Sequence, residues 1–210
     1  MRLSLPSIYP ITDKALSGKA THLAIFRELV RGGATWVQIR DKETPLRELL
    51  ADLRRCVDFA ERQGVLLIVN DRCDLALSCG ASGVHLGQED LPVEAARALL
   101  GHKRALGLSI VSMSQLRRSI GLPVEYFGFG PIFSTATKPD AAPALGLDKL
   151  RSACRLSPKP IVAIGGIGLA QIPDVLEAGA ASAAVVSGLM CAPNIAHAME
   201  AFLRKSGESE

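Results

Sequence analysis

Val65-Leu66-Leu67-Ile68-Val69-Asn70-Asp71-Arg72 is a run of apolar residues that ends in an amide, an acid and a cation. Continuous rather than alternating hydrophobicity marks a strand buried on both faces, as in a parallel sheet. Working outward, the same form recurs, and strands are expected at 8–12, 35–40, 65–70, 83–86, 105–109, 126–130, 161–164 and 183–187. Between them lie helical patterns at 23–31, 45–63, 73–79, 92–100, 114–120, 147–155, 172–178 and 195–203. In the second of these, Leu46, Leu49, Leu50, Leu53 and Val57 share one face, while Arg47, Glu48, Arg54 and Arg55 lie elsewhere.

Eight strand–helix units predict a single (β/α)8 TIM barrel, since parallel units with right-handed crossovers close at that number without leaving an edge. A doubly wound open sheet is the alternative. Gly32-Gly33-Ala34, Gly80-Ala81-Ser82-Gly83 and Ala178-Gly179-Ala180-Ala181 read as helix-to-strand turns, where Gly stops the helix. No linker, low-complexity tract or charge block divides the 210 residues, so 1–210 is read as one barrel domain with 205–210 as a disordered tail.

Composition narrows the function. The formal net charge is +3, and the 24 Lys and Arg are dispersed, which argues against a nucleic-acid partner. Aromatics make up 4%, too few for base-stacking platforms. The five cysteines form no Cys-x-x-Cys pair and no zinc pattern with His. The start, Met1-Arg2-Leu3-Ser4-Leu5-Pro6, lacks the apolar core of a signal peptide, and no apolar segment is long enough for a bilayer. A cytoplasmic protein with reduced thiols and no membrane partner is expected; a homo-oligomer stays open.

In barrels of this kind the active site lies at the C-terminal ends of the strands. Here those ends carry Gln38-Ile39-Arg40-Asp41-Lys42, Asn70-Asp71-Arg72, His85 through Asp90, Ser109 and Gly128 through Lys138. Asp71 and Asp90 have two open readings, as helix N-caps or as carboxylates holding a Mg2+ ion that completes its shell with water and phosphate oxygens. Arg40 and Lys42 on the same rim are suited to phosphate, Arg by a fork and Lys as a point charge. Gly165-Gly166-Ile167-Gly168 and Ser187-Gly188 end the last two strands, where this fold commonly cradles phosphate. No dinucleotide fingerprint is completed. Ser109 has no base near it in sequence, His85 reads as a packed core residue, and His22, His102 and His197 read as chemically idle.

Five stretches together resemble the thiamine phosphate synthase family: Gln38 to Lys42, Val69 to Arg72, Gly83 to Asp90, Gly128 to Lys138 and Ala163 to Ile167. The resemblance implies a TIM barrel that joins a pyrimidine diphosphate to a thiazole phosphate, releasing pyrophosphate. It implies Asp71 and Asp90 as ligands of one Mg2+. Gln38, Ile39, Arg40, Asp41, Lys42, Asn70, Ser109 and Lys138 would surround the pyrimidine diphosphate, with Arg40, Lys42, Ser109 and Lys138 acting in catalysis. Thr135, Ala136, Thr137, Gly166, Val186 and Ser187 would hold the thiazole phosphate. Two positions depart from the family pattern: Asp41 stands where Glu is common, and Val111 where His is common. A thiazole tautomerase-like isomerase, a non-catalytic thiamine-phosphate binding protein and a sugar-phosphate barrel enzyme using Lys138 are the rival readings. The presence of both acids, with Pro131 in the Gly-x-x-Phe loop, favours the synthase.

Overall fold

The computed structural model describes residues 4–135 and 143–207. Its strands are β1 (Ile8–Thr12), β2 (Trp36–Ile39), β3 (Leu66–Asn70), β4 (Gly83–Leu86), β5 (Ala105–Ile110), β6 (Tyr126–Phe129), β7 (Ile161–Ile164) and β8 (Ser182–Val185). They pair in parallel in chain order and close, β8 returning to β1 through Ile8↔Ala183 and Pro10↔Val185. The open-sheet alternative is thereby excluded.

The first helices are α1 (Lys14–Ser17), α2 (His22–Arg31), α3 (Leu46–Gln63), α4 (Cys73–Cys79) and α5 (Val93–Leu100). They are followed by α6 (Met113–Ser119), α7 (Gly146–Leu156), α8 (Ile172–Glu177), α9 (Ser187–Met190) and α10 (Ile195–Lys205). Two short helices, α1 and α9, were not expected. Asp13 nucleates α1 by accepting from Leu16 N at 3.0 Å. The last strand stops at Val185 rather than 187 because Leu189 N and Met190 N both bond back to Val186 O. At the far end, Ser206 N donates to Phe202 O and Ser7 Oγ donates to Ser206 Oγ at 2.7 Å. Helical hydrogen bonding therefore runs past 205, where the tail was expected to begin.

Continuous hydrophobicity along the strands is explained by two cores. Val37, Ile39, Val69, Val84, Leu108 and Phe127 point outward into the layer beneath the helices. Tyr9, Trp36, Ile68, Ala105, Tyr126 and Val162 point inward and fill the barrel. Inside, Tyr9 meets Trp36 and Tyr126 edge-on at 5.9 Å between ring centroids; such pairs add about 0.5–1.5 kcal/mol each beyond their buried area. This alternation decides which side chain at each strand end can reach the mouth.

Candidate active site

Asp71 follows the last residue of β3 and is the one non-glycine with positive φ (62°) among the described residues. Its N–H donates to His85 O at 2.8 Å, and Arg72 N donates to Asn70 O at 2.7 Å, closing a γ-turn around it. Such a backbone costs on the order of 1–3 kcal/mol and persists only where the surroundings impose it. The turn leaves its carboxylate on the rim, with Lys42 Nζ 3.1 Å from Oδ2.

Asp90 reaches the same place from the loop after β4. Its Oδ2 accepts from Gly87 N at 2.6 Å, and a β-carbon at Gly87 would stand 2.9 Å from that oxygen. Burial, together with the Asp71 carboxylate facing it, pushes the Asp90 carboxyl above the ordinary carboxylate range; the Gly87 N–H and Lys42 oppose the shift. Neither acid is a cap. Helix α4 is preceded by Arg72 and α5 by Pro92, and neither start has a side-chain cap. Two like charges facing each other from adjacent strands, with cations beside them, suit a hard cation completed by water and phosphate oxygens. Among the described residues, no group of three or more His, Cys, Asp and Glu could hold a metal unaided.

The end of β2 divides its residues between layers. Gln38 points into the barrel and donates from Nε2 to Tyr9 OH at 3.1 Å. Ile39 points outward into the outer core, so only its backbone is turned to the strand end. Arg40 is 30% exposed, with its nearest carboxylate, Asp13, 3.9 Å away. The Asp41 carboxylate turns aside from the mouth. It accepts from Glu43 N, Thr44 N and Thr44 Oγ1 at 2.7–2.9 Å, pairs with Lys14 at 3.2 Å and meets His22 Nε2 at 2.9 Å. Burial acts to raise this carboxyl, but those hydrogen bonds outweigh it and hold Asp41 well below the usual range. His22, read from sequence as idle, continues the network: Nδ1 lies 2.9 Å from Thr12 Oγ1, which accepts from Arg40 N. The departure at 41 thus supplies the clamp of the Arg40–Lys42 loop.

Ser109 on β5 points inward between the outward-facing Leu108 and Ile110. The partner that sequence alone did not supply is His85, whose Nε2 lies 2.9 Å from Ser109 Oγ. Inward parity on adjacent strands was the available signal, but strand pairing had to be known to use it. His85 Nδ1 lies 3.1 Å from Tyr126 OH, and Tyr126 OH lies 2.9 Å from Tyr9 OH. Burial pushes the His85 imidazole down to about 4, so it is neutral at pH 7. Asn70 sits part-buried at the tip of β3, with His85 opposite it on β4. Val111 is exposed beyond β5, its N–H donating to Gln115 Oε1 at 2.8 Å.

On the other side of the mouth, Gly165 (φ 100°) and Gly166 (φ 64°) follow β7. Ile132 N donates to Ile164 O and Phe133 N to Gly165 O, so the loop after β6 lies directly against these glycines. A β-carbon at Gly166 would stand 2.8 Å from Phe133 Cβ. Val186 and the exposed Ser187 form the junction of β8 and α9, and Thr135 lies in the loop after β6. Ala136, Thr137 and Lys138 fall outside the described residues.

The comparisons with known proteins agree on one family. The family model described as thiamine monophosphate synthase matches residues 8–189. A thiamine-phosphate synthase of Chloroflexus aurantiacus is 45% identical over 188 residues, covering 90% of this chain and 87% of that protein. One from Myxococcus xanthus is 49% identical over 167 residues, covering 80% and 77%. The solved thiamine phosphate pyrophosphorylase of Pyrococcus furiosus superposes with a TM-score of 0.87 at 33% identity, covering 96% of each chain.

Proposed function

The chain belongs to the thiamine monophosphate synthase family, and on that premise we propose that it condenses 4-amino-2-methyl-5-hydroxymethylpyrimidine diphosphate with a thiazole phosphate. The products are thiamine phosphate and pyrophosphate. The observation that carries this reading is the facing pair Asp71 and Asp90, with Lys42 3.1 Å from Asp71 and the part-exposed Arg40 on the neighbouring strand end.

The bond from the pyrimidine methylene to the diphosphate oxygen breaks, and its electron pair leaves with pyrophosphate. The thiazole nitrogen then gives its lone pair to the methylene carbon. The aminopyrimidine ring stabilises positive charge on that carbon, so no strong nucleophile or base is required. Asp71 and Asp90 would hold one Mg2+, which when bound neutralises charge on the leaving diphosphate. Arg40 and Lys42 add fixed positive charge to the same oxygens, and Lys138 is assigned alongside them. Gln38, Asn70 and Ser109, with the backbone at Ile39, orient the pyrimidine. Backbone groups at Gly166, Val186 and Ser187, with Thr135, Ala136 and Thr137, bind the thiazole phosphate. Both substrates are small molecules. Five free thiols, and no helix among the described residues long and apolar enough to cross a membrane, support a cytoplasmic enzyme.

The test is incubation of the purified protein with both phosphorylated precursors and Mg2+, followed by quantification of thiamine phosphate and pyrophosphate. Equimolar formation of the two, abolished by chelation, is expected. No product, or product indifferent to chelation, contradicts the reading.

A further inference from the structure

The polar chain through the barrel interior has one end of fixed polarity. Gln38 Nε2 can only donate, and it donates to Tyr9 OH at 3.1 Å. Tyr9 is 1% exposed, and the remaining partner for its own proton is Tyr126 OH at 2.9 Å. In that order Tyr126 has its own proton left for His85 Nδ1, which lies 3.1 Å away. A neutral imidazole that accepts at Nδ1 carries its hydrogen on Nε2, and that N–H meets Ser109 Oγ at 2.9 Å. Having accepted, Ser109 Oγ is left with its proton to give, and no second partner for it stands among the described residues. With Gln38 Nε2 turned to Tyr9, any break in this order leaves a buried hydroxyl proton without an acceptor, which the interior penalises.

The barrel is shaped to hold this chain. A β-carbon at Gly107 would stand 2.5 Å from His85 Nδ1 and closer still to the Tyr126 ring. One at Gly128 would stand 3.0 Å from His85 Cε1. The His85 and Tyr126 rings stack at 5.4 Å in the space these glycines leave.

We propose that Tyr9, Tyr126 and His85 are positioning residues whose one-way hydrogen-bond relay fixes Ser109 as a donor to an acceptor atom of the pyrimidine diphosphate. The identity of that ligand rests on the synthase reading; the relay does not. The reverse polarity would make Ser109 an acceptor and repel a phosphate or ring-nitrogen lone pair, so the relay selects for ligands that accept at this point.

The decisive measurement is 15N NMR of the ligand-free protein labelled at histidine, with His85 assigned by loss of its signal in His85→Gln. The neutral Nε2–H tautomer is expected in the wild type. In Tyr126→Phe, which keeps the ring but removes the proton given to Nδ1, a mixture of tautomers is expected. An Nδ1–H tautomer in the wild type, or an unchanged tautomer in Tyr126→Phe, overturns the relay. Kinetically, Tyr126→Phe should raise KM for the pyrimidine diphosphate about tenfold, with a smaller effect on KM for the thiazole phosphate. In a Ser109→Ala background the same substitution should add nothing; losses that multiply would contradict Ser109 as the output. The NMR measurement needs no substrate. A wild type without synthase activity would therefore overturn the functional reading while the tautomer still decides the relay.

Discussion

The two ends of the barrel use the same charged residue types in opposite ways. At the N-terminal end, Arg97 is 7% exposed and engaged through all three side-chain nitrogens, with Pro123 O, Gly101 O, Arg104 O and Glu125 Oε2 at 2.5–3.0 Å. Lys159 donates to Leu122 O and Val124 O at 2.6 and 2.5 Å, and Glu125 also accepts from Leu106 N at 2.6 Å. Arg97, Glu125 and Lys159 thereby stitch loops to strand starts. At the C-terminal end, Arg40 has its nearest carboxylate 3.9 Å away, Lys42 is 58% exposed, and two carboxylates face one another. Burial alone does not separate a structural charge from a functional one. For the proposed synthase, unspent hydrogen-bonding capacity gathered on one rim does.

Substitutions at the two ends should therefore separate activity from stability. The largest effect is expected from Asp71→Ala and Asp90→Ala, which should each lower turnover at least about 100-fold by removing charge-organising ligands. Their thermal unfolding should stay within a few degrees of wild type by calorimetry. Normal rates in both variants would remove the metal assignment. Arg97→Ala is expected to do the reverse. It should destabilise by roughly 2–4 kcal/mol in denaturant unfolding, because it removes the Glu125 ion pair and strands three carbonyls. Its KM values should be close to wild type at a temperature where it stays folded.

Asp41 gives a pH test between these extremes. Its carboxyl is held below the ordinary range, so the folded state binds this proton more weakly than the unfolded chain does. The stability it contributes is present above the unfolded value near 4 and is lost as pH falls toward its lower folded value. Asp41→Asn should lower the melting temperature at pH 7, and the gap to wild type should narrow steadily below about pH 4. A gap independent of pH would show that the carboxylate is not the clamp. The smallest effect on stability belongs to Asp90→Asn. Asp90 is raised by burial and by Asp71, so its ionised form works against folding at neutral pH. Neutralising it should leave the melting temperature equal or slightly higher while turnover falls. A clear loss of stability would mean that the facing acids are not in repulsion.

Much of this contrast was legible in the sequence. Apolar runs such as 65–69 reveal doubly buried strands, and the polar residues that end them mark the C-terminal rim, because strand direction alone decides which end of a parallel barrel is which. That placed Asp71, Asp90, Arg40 and Lys42 on one face. The bonds that depend on ring closure were not legible. Ser109 and His85 lie 24 positions apart, and Tyr9 and Tyr126 lie 117 apart, so neither pairing has a local signature. His22 read as idle because its partners Thr12 and Asp41 belong to two other strand ends. The short helices α1 and α9 escaped because four residues carry too little periodicity to register.

The most direct measurement of the central claim is pyrophosphate binding to the purified protein by titration calorimetry, with and without Mg2+. In the wild type, Mg2+ should tighten pyrophosphate binding by at least about tenfold. That enhancement should vanish in Asp71→Ala and Asp90→Ala and survive in Arg97→Ala. Pyrophosphate affinity that is the same with and without Mg2+, or an enhancement that persists without the two acids, would contradict the account.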